Sequence, residues 1–302
     1  DSIGSSLGIY RLAKTFEKEA YIVNNTYGLS LANFIVTLKQ EGYKEVILDK
    51  AEAMNKITPN TLLVIVDTHK RSYVEIPELL EKTEKIVIID HHRKSEDFIE
   101  NAILTFHEAY ASSASELVTE IVEYATQEVT LEQIEAESLY AGIMMDTKNF
   151  TFKTGVRTFE AAAYLRKYGI DIIKVKKWFQ SDLESYTVIA EIVKNAEIIN
   201  DSIGISVYEE KDKNANLICA KAADELLTIS NISASFVLGR MGDKVCISGR
   251  SIGDINVQVI LEKLGGGGHI TLAGAQVEGM TLEEAKTELI IRINEYFAEN
   301  NF

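Results

Sequence analysis

The sequence predicts an α/β protein: an N-terminal domain built on a parallel sheet flanked by helices, a helical linker, and a smaller α/β domain with a mixed sheet. Three observations carry this. Lys85 to Asp90 is an apolar run without alternation, as expected of a strand buried on both faces. Short apolar runs alternate with helical stretches through residues 1–180, the order that gives a parallel sheet with right-handed crossovers. After Ala196 longer strands and a hairpin take over, which places the domains at 1–180 and 197–302, with 181–196 as the linker. A chain of 302 residues is long enough for two cores.

In chain order, Ile3 to Lys18 reads as a helix whose apolar stripe is Ile3, Leu7, Ile9, Leu12 and Phe16. Ala20 to Val23 is a short strand, Leu29 to Glu41 a helix ended by Gly42, and Glu45 to Leu48 another strand. Leu62 to Asp67 follows as a strand, Pro77 to Glu84 as a crossover helix, and Lys85 to Asp90 as the central strand. Ile103 to Phe106 is a short strand. Helices are expected at Ser115 to Ala125, from about Leu131 to Met144, at Thr158 to Tyr168 and at Ile172 to Phe179. In the second domain, Ile203 to Glu209 is a strand, Ala215 to Leu227 a helix, Ile232 to Gly239 and Lys244 to Ser248 a hairpin around Met241-Gly242-Asp243, and Val257 to Lys263 a short helix.

The central strand stops on Asp90-His91-His92, and the preceding one on Asp67. In open α/β sheets the carboxyl edge of the strands is where ligands bind. Asp67 alone would read as a turn or cap. Two neighbouring strands delivering acids and imidazoles to one edge, with Asp146 at the end of a later helix, instead form the Asp/His/Asp set of a two-metal hydrolytic centre.

Composition narrows the partners. The net charge is −15, which repels long nucleic acids and suits a small, few-phosphate substrate neutralised by cations. No apolar run approaches the length of a membrane span. The two cysteines, Cys219 and Cys246, lack metal-type spacing and read as buried free thiols of a reducing compartment, which favours the cytoplasm. Gly265-Gly266-Gly267-Gly268-His269 is either a flexible loop or a backbone cradle for an anion, with His269 and Arg250 supplying charge. It fits neither a Walker A nor a dinucleotide fingerprint.

The order of D-S-I-G-S at Asp1, V-D-T at Asp67, D-H-H at Asp90, D-T at Asp146 and G-G-G-G-H at Gly265 resembles the DHH phosphoesterase family with a DHH-associated C-terminal domain. Asp67-Thr68-His69, Ile89 to Arg93, Tyr110 to Leu117 and Ile255-Asn256-Val257-Gln258 resemble its GdpP-type branch of cyclic-di-AMP phosphodiesterases. That resemblance implies that Asp67 bridges two Mn ions and that Asp1, His91 and Asp146 complete the shell of the second. It also implies that His92 faces the substrate phosphate and that Asp90 orients its neighbours from behind. The first ion would be held by a His and an Asp of H-x-x-x-D-x-D, of which Asp1 is the last residue, so a strand and loop are expected before Asp1. Arg250, Gly265, Gly266, Gly267, Gly268 and His269 would lie around the nucleotide, although Ser248-Gly249-Arg250-Ser251 has Gly where relatives often carry Ala.

The activity implied is two-metal hydrolysis of cyclic-di-AMP to 5′-pApA, in the catalytic module of a nucleotide-signalling protein anchored to the membrane by other segments. A homodimer is among the expected partners. The competing readings are a nanoRNase or pAp phosphatase acting on linear dinucleotides, a family II pyrophosphatase, and a catalytically silent nucleotide sensor.

Overall fold

The computed structural model describes residues 1–24, 31–94, 97–180 and 182–300, which divide into two compact units, Asp1–Gln180 and Ser181–Phe302. In the first unit β3 (Leu63–Val66), β4 (Ile86–Asp90) and β5 (Leu104–His107) form a parallel sheet in the order β3-β4-β5. The earlier strands β1 (Ile22–Val23) and β2 (Ile47–Leu48) form a separate parallel pair. β4 is the most buried strand of this unit: Ile86, Ile88, Ile89 and Asp90 are all inside. Ile86 and Ile88 enter one core and Val87 and Ile89 pack into another, so both faces are covered and the sequence does not alternate.

The first helix, α1 (Ser2–Thr15), packs differently from its expected stripe. Its buried residues are Gly4, Ser5, Leu7 and Gly8, while Ile3, Ile9 and Leu12 are only partly covered. The reason is close approach to α4 (Ala114–Glu123) and α5 (Gln133–Asp146). A Cβ on Gly4 would lie 2.4 Å from the Ser138 carbonyl oxygen, and one on Gly8 2.5 Å from Val118. α5 is buried from Ile134 to Met144, acids included. Glu135 accepts from Arg11 Nε and from the Tyr43 hydroxyl, both at 2.7 Å, and Glu137 pairs with Lys174 at 2.9 Å. These pairings are what make two interior carboxylates tolerable.

α2 is Ala32–Gln40, and residues 29 and 30 of its expected start lie outside the described residues. The Pro77 crossover is a 3-10 turn, Pro77–Glu81, too short for the helix expected. α3 (Lys50–Lys56) is additional, opened by an Asp49–Glu52 capping box. α6 (Val156–Arg166) and α7 (Ile172–Trp178) complete the unit.

In the second unit a six-stranded mixed sheet runs in the order β10-β11-β9-β8-β7-β6. The strands are β6 (Glu197–Ile199), β7 (Ile203–Lys211), β8 (Ala234–Met241), β9 (Lys244–Ser251), β10 (Gly267–His269) and β11 (Leu272–Glu278). Only β7 and β8 pair in parallel. Alternate residues serve opposite faces. Phe236 and Leu238 join the core under α10 (Val257–Glu262) and α11 (Leu282–Asn300). Val237 and Cys246 join the core under α8 (Leu183–Lys194) and α9 (Ala215–Leu226).

Ile189 and Ile192 of α8, the expected linker, are built into that second core. The expectations from sequence include no element at β6, β11 or α11. Cys219 and Cys246 are buried free thiols. Among the described residues no helix is long and apolar enough to cross a membrane.

Candidate metal centre

The carboxyl edge of β3-β4-β5 gathers four of the chain's five histidines. β3 delivers Asp67, whose backbone lies in the left-handed region at φ 63, an uncommon conformation for a residue with a side chain. β4 delivers Asp90, His91 and His92. α5 brings Asp146 as its last residue, and Asp1 precedes α1. Asp1, Asp67, His91 and Asp146 place ligand atoms within 4.8 Å of one another.

His91 is the centre of the group. Its Nε2 lies 3.2 Å from Asp146, 3.5 Å from Asp67 and 3.7 Å from Asp1, yet both ring nitrogens are buried without a hydrogen-bond partner. So is Asp67 Oδ1. Burial opposes charge on the ring, but the carboxylates of Asp146 and Asp67 outweigh it and push His91 up to about 9. Asp67 is held below the usual range: burial acts to raise it, and the His91 contact prevails. Three acids around one buried imidazole favour a positive charge there, which a proton on the ring or a bound cation would supply.

The acids are held in place by separate donors. The backbone N–H groups of Ala114 and Ser115, at the start of α4, donate to the two Asp1 oxygens at 2.7 and 2.8 Å. Gly142 keeps that space open, since a Cβ there would lie 2.8 Å from Asp1 Oδ1 and 2.1 Å from the Ser115 hydroxyl. The Ser2 hydroxyl donates to Asp67 Oδ2 at 2.6 Å. The unpartnered His91 nitrogen, the unpartnered Asp67 oxygen and a mixed carboxylate and imidazole donor set fit a divalent cation such as Mn, Fe or Zn.

Asp90 stands behind this group, fully buried. Its Oδ1 accepts from His92 Nδ1 at 2.8 Å and from the backbone N–H groups of His91 and His92 at 2.9 and 3.3 Å. Its Oδ2 is bonded to His69 Nδ1. Burial works against the charged form, but the His92 and His69 bonds hold Asp90 well below the usual carboxylate range. His107, the register partner of Asp90, donates from Nε2 to the His92 carbonyl at 2.5 Å. Sequence reasoning assigned no role to His69 or His107. The strand-end rule that singled out Asp67 and Asp90 reaches both, because His69 follows β3 by three residues and His107 ends β5.

The second unit's residues are arranged otherwise. Arg250, in β9, is buried: its Nε pairs with Asp224 at 3.1 Å and one terminal nitrogen donates to the Gly249 carbonyl at 2.8 Å. Gly265 and Gly266 close α10 in a Schellman motif, with Gly266 N–H to Leu261 O at 2.9 Å and Gly265 N–H to Glu262 O at 3.0 Å. Gly265 has φ 75. Gly267 to His269 are not a loop but strand β10, paired with β11. A Cβ on Gly266 would meet the Gly274 carbonyl oxygen at 2.3 Å, and one on Gly268 the Leu272 carbonyl oxygen at 2.4 Å, while Gly267 faces open space. His269 is exposed.

Comparison with known proteins bears on both units. The chain is 42% identical over 301 residues to the cyclic-di-AMP phosphodiesterase PdeA of Listeria monocytogenes, a match spanning 98% of this chain and 46% of that protein. It is likewise 42% identical over 305 residues to the cyclic-di-AMP phosphodiesterase GdpP of Bacillus subtilis, with the same coverage of both chains. The chain therefore spans about half the length of these curated relatives. An exopolyphosphatase-related protein from Bacteroides fragilis shares the fold with a TM-score of 0.83 at 21% identity, covering 98% of this chain and 88% of that one. Residues 1–143 match the DHH family, N-terminal domain, and residues 200–299 match the DHHA1 domain. With both domains in order and relatives that share two residues in five across nearly its whole length, the chain belongs to the DHH family and carries a DHHA1 domain.

Proposed function

We propose that the protein is a metal-dependent phosphodiesterase that hydrolyses cyclic-di-AMP to 5′-pApA. The observation that carries this reading is the buried, unpartnered His91 nitrogen between the carboxylates of Asp1, Asp67 and Asp146. Its relatives named cyclic-di-AMP phosphodiesterases supply the substrate class.

Asp67, Asp1, His91 and Asp146 would hold the cations, Mn in the first instance. Bound there, divalent cations supply an acidified water and neutralise charge developing on phosphorus. His92 is half exposed, and Asp90 occupies its Nδ1, which leaves Nε2 as the ring atom available to a substrate phosphate. In the DHHA1 domain, Arg250, His269 and the run Gly265 to Gly268 would contact the nucleotide; Arg250 is preset for that role by Asp224. The domains are assigned as 1–180 for catalysis and 197–302 for substrate binding, and the activity to the cytoplasmic side of the cell.

The test is hydrolysis of cyclic-di-AMP, cyclic-di-GMP and pApA with Mn, with and without chelator. Chelator-sensitive conversion of cyclic-di-AMP to pApA is expected. Cleavage of pApA with cyclic-di-AMP left intact would move the assignment to linear dinucleotides. Tight nucleotide binding with no turnover in saturating Mn would make the protein a sensor.

A further inference from the structure

We propose that His69 is a positioning residue that locks the Asp90 carboxylate, and through it the ring of His92. Its effect on turnover rests on the reading of His92 as a substrate-facing group, but its structural effect can be read without any substrate.

The argument begins with the softness of an aspartate. Rotation of a carboxylate about its last bond has a broad, shallow profile, so the direction of its oxygens is set by partners. On Asp90, Oδ1 receives three donors, two from the backbone of the next two residues and one from the His92 ring. All three come from the same turn as Asp90 and would move with it. Oδ2 is bonded to His69 Nδ1, from a different segment. The bond ties the end of β4 to the segment that follows β3.

His69 is itself anchored. It is buried, its carbonyl accepts from the Ile99 N–H at 3.0 Å, and its ring meets His107 edge-on at 5.3 Å. Two residues earlier stands Asp67 in its left-handed conformation. An ionised carboxylate only accepts, so both His69 and His92 must present Nδ1–H to Asp90. The His92 ring is thereby fixed with Nε2 outward, and His107 holds its carbonyl from the other side. Without His69, Oδ2 would lose that anchor in a buried place, and the carboxylate would turn away from His92 to find another donor.

The experiment compares His69→Ala, His69→Asn and His69→Gln with the unaltered protein. Asn places an amide N–H where Nδ1–H stood; Gln places it one atom further out. His69→Ala is expected to lower kcat about 10- to 100-fold, as loss of such a supporting partner commonly does, with bound Mn unchanged. His69→Asn should recover most of that loss, and His69→Gln should not. In parallel, nitrogen-15 spectra of histidine-labelled, metal-free protein, with His92 identified through His92→Ala, should show its Nδ1–H form in the unaltered protein and in His69→Asn. The alternative ring form should gain population in His69→Ala.

A folded His69→Ala with unaltered kcat and an unaltered His92 spectrum overturns the proposal. So does loss of Mn in proportion to activity, which would make His69 part of the metal site. Should His69→Ala fail to fold, equal kcat and equal spectra for His69→Asn and His69→Gln overturn it as well. If no nucleotide is hydrolysed, the proposed activity fails and the spectra alone decide the role of His69.

Discussion

The two units treat their unusual residues in opposite ways. At the carboxyl edge of β3-β4-β5 the fold holds polar atoms apart from partners: His91 and Asp67 Oδ1 are buried and unsatisfied, although buried polar groups are rarely left so. In the second unit the notable residues each have a partner or a structural duty within the fold, whatever else they contact. Arg250 is paired with Asp224, Gly265 ends a helix, and Gly266 and Gly268 admit a neighbouring backbone. Unsatisfied polar atoms mark a binding centre more sharply than an odd composition does, because a glycine run has a conformational explanation and an orphaned imidazole does not.

The largest effects should test the first half of that contrast. If the proposed metal centre is right, His91→Ala or Asp146→Asn is expected to reduce hydrolysis at least about 1,000-fold with the fold intact, since each would remove one of its ligands. In the unaltered protein Mn should raise Tm, because a ligand that binds only the folded state stabilises it; in His91→Ala that rise should shrink or vanish. Turnover undiminished in both folded variants would break the contrast outright.

The second half is tested within the glycine run. Gly266→Ala and Gly268→Ala should each destabilise the second unit by about 1–3 kcal/mol, because the new Cβ meets backbone oxygens that cannot swing aside. Gly267→Ala should change stability by less than about 0.5 kcal/mol. If Gly267→Ala nonetheless raises KM, the run serves the nucleotide as well as the fold. If KM is unchanged there, the run is structural.

A pH titration of the metal-free protein sharpens the electrostatic side. His91 is raised from 6.5 to about 9, so its ion pairing stabilises the fold fully below about pH 6.5 and is lost as pH climbs through 9. The loss should be on the order of 2 kcal/mol by denaturant unfolding and should disappear in His91→Gln. Asp90 is lowered, so its contribution is present at neutral pH and fades only below about pH 4. A flat profile between pH 6.5 and 9 would show that the acids around His91 are neutralised by something other than its ring.

The smallest effect concerns Arg250→Ala. It should raise KM about 10-fold while leaving bound Mn unchanged. A loss of Mn in this variant would mean that the second unit's residues serve the metal centre directly.

Much of the fold could be read locally. The unbroken apolar run of β4 announced a central parallel strand, and the acids at the ends of β3 and β4 announced the edge that gathers Asp67, Asp90, His91 and His92. The face of α1 could not be read this way. Its apolar stripe pointed to Ile3, Leu7, Ile9, Leu12 and Phe16, of which only Leu7 belongs to the buried face, Gly4, Ser5, Leu7 and Gly8. Periodicity reports which residues avoid water, and it is silent where small residues are chosen so that two helices can come close. The glycine run misled for a related reason: four glycines read as freedom, and three of them answer to a turn or to a neighbouring backbone.

By itself, then, the sequence determined the parallel sheet and the edge where acids and imidazoles gather, because strand period and strand ends are properties of short segments. Only the tertiary structure decided which residues stand behind that edge. The β4–β5 register sets His107 opposite Asp90, and the turn after β3 carries His69 to the same carboxylate, 21 positions away in the chain. No local pattern encodes those meetings, since hydrogen bonds between strand ends depend on which strands become neighbours and on the register in which they pair.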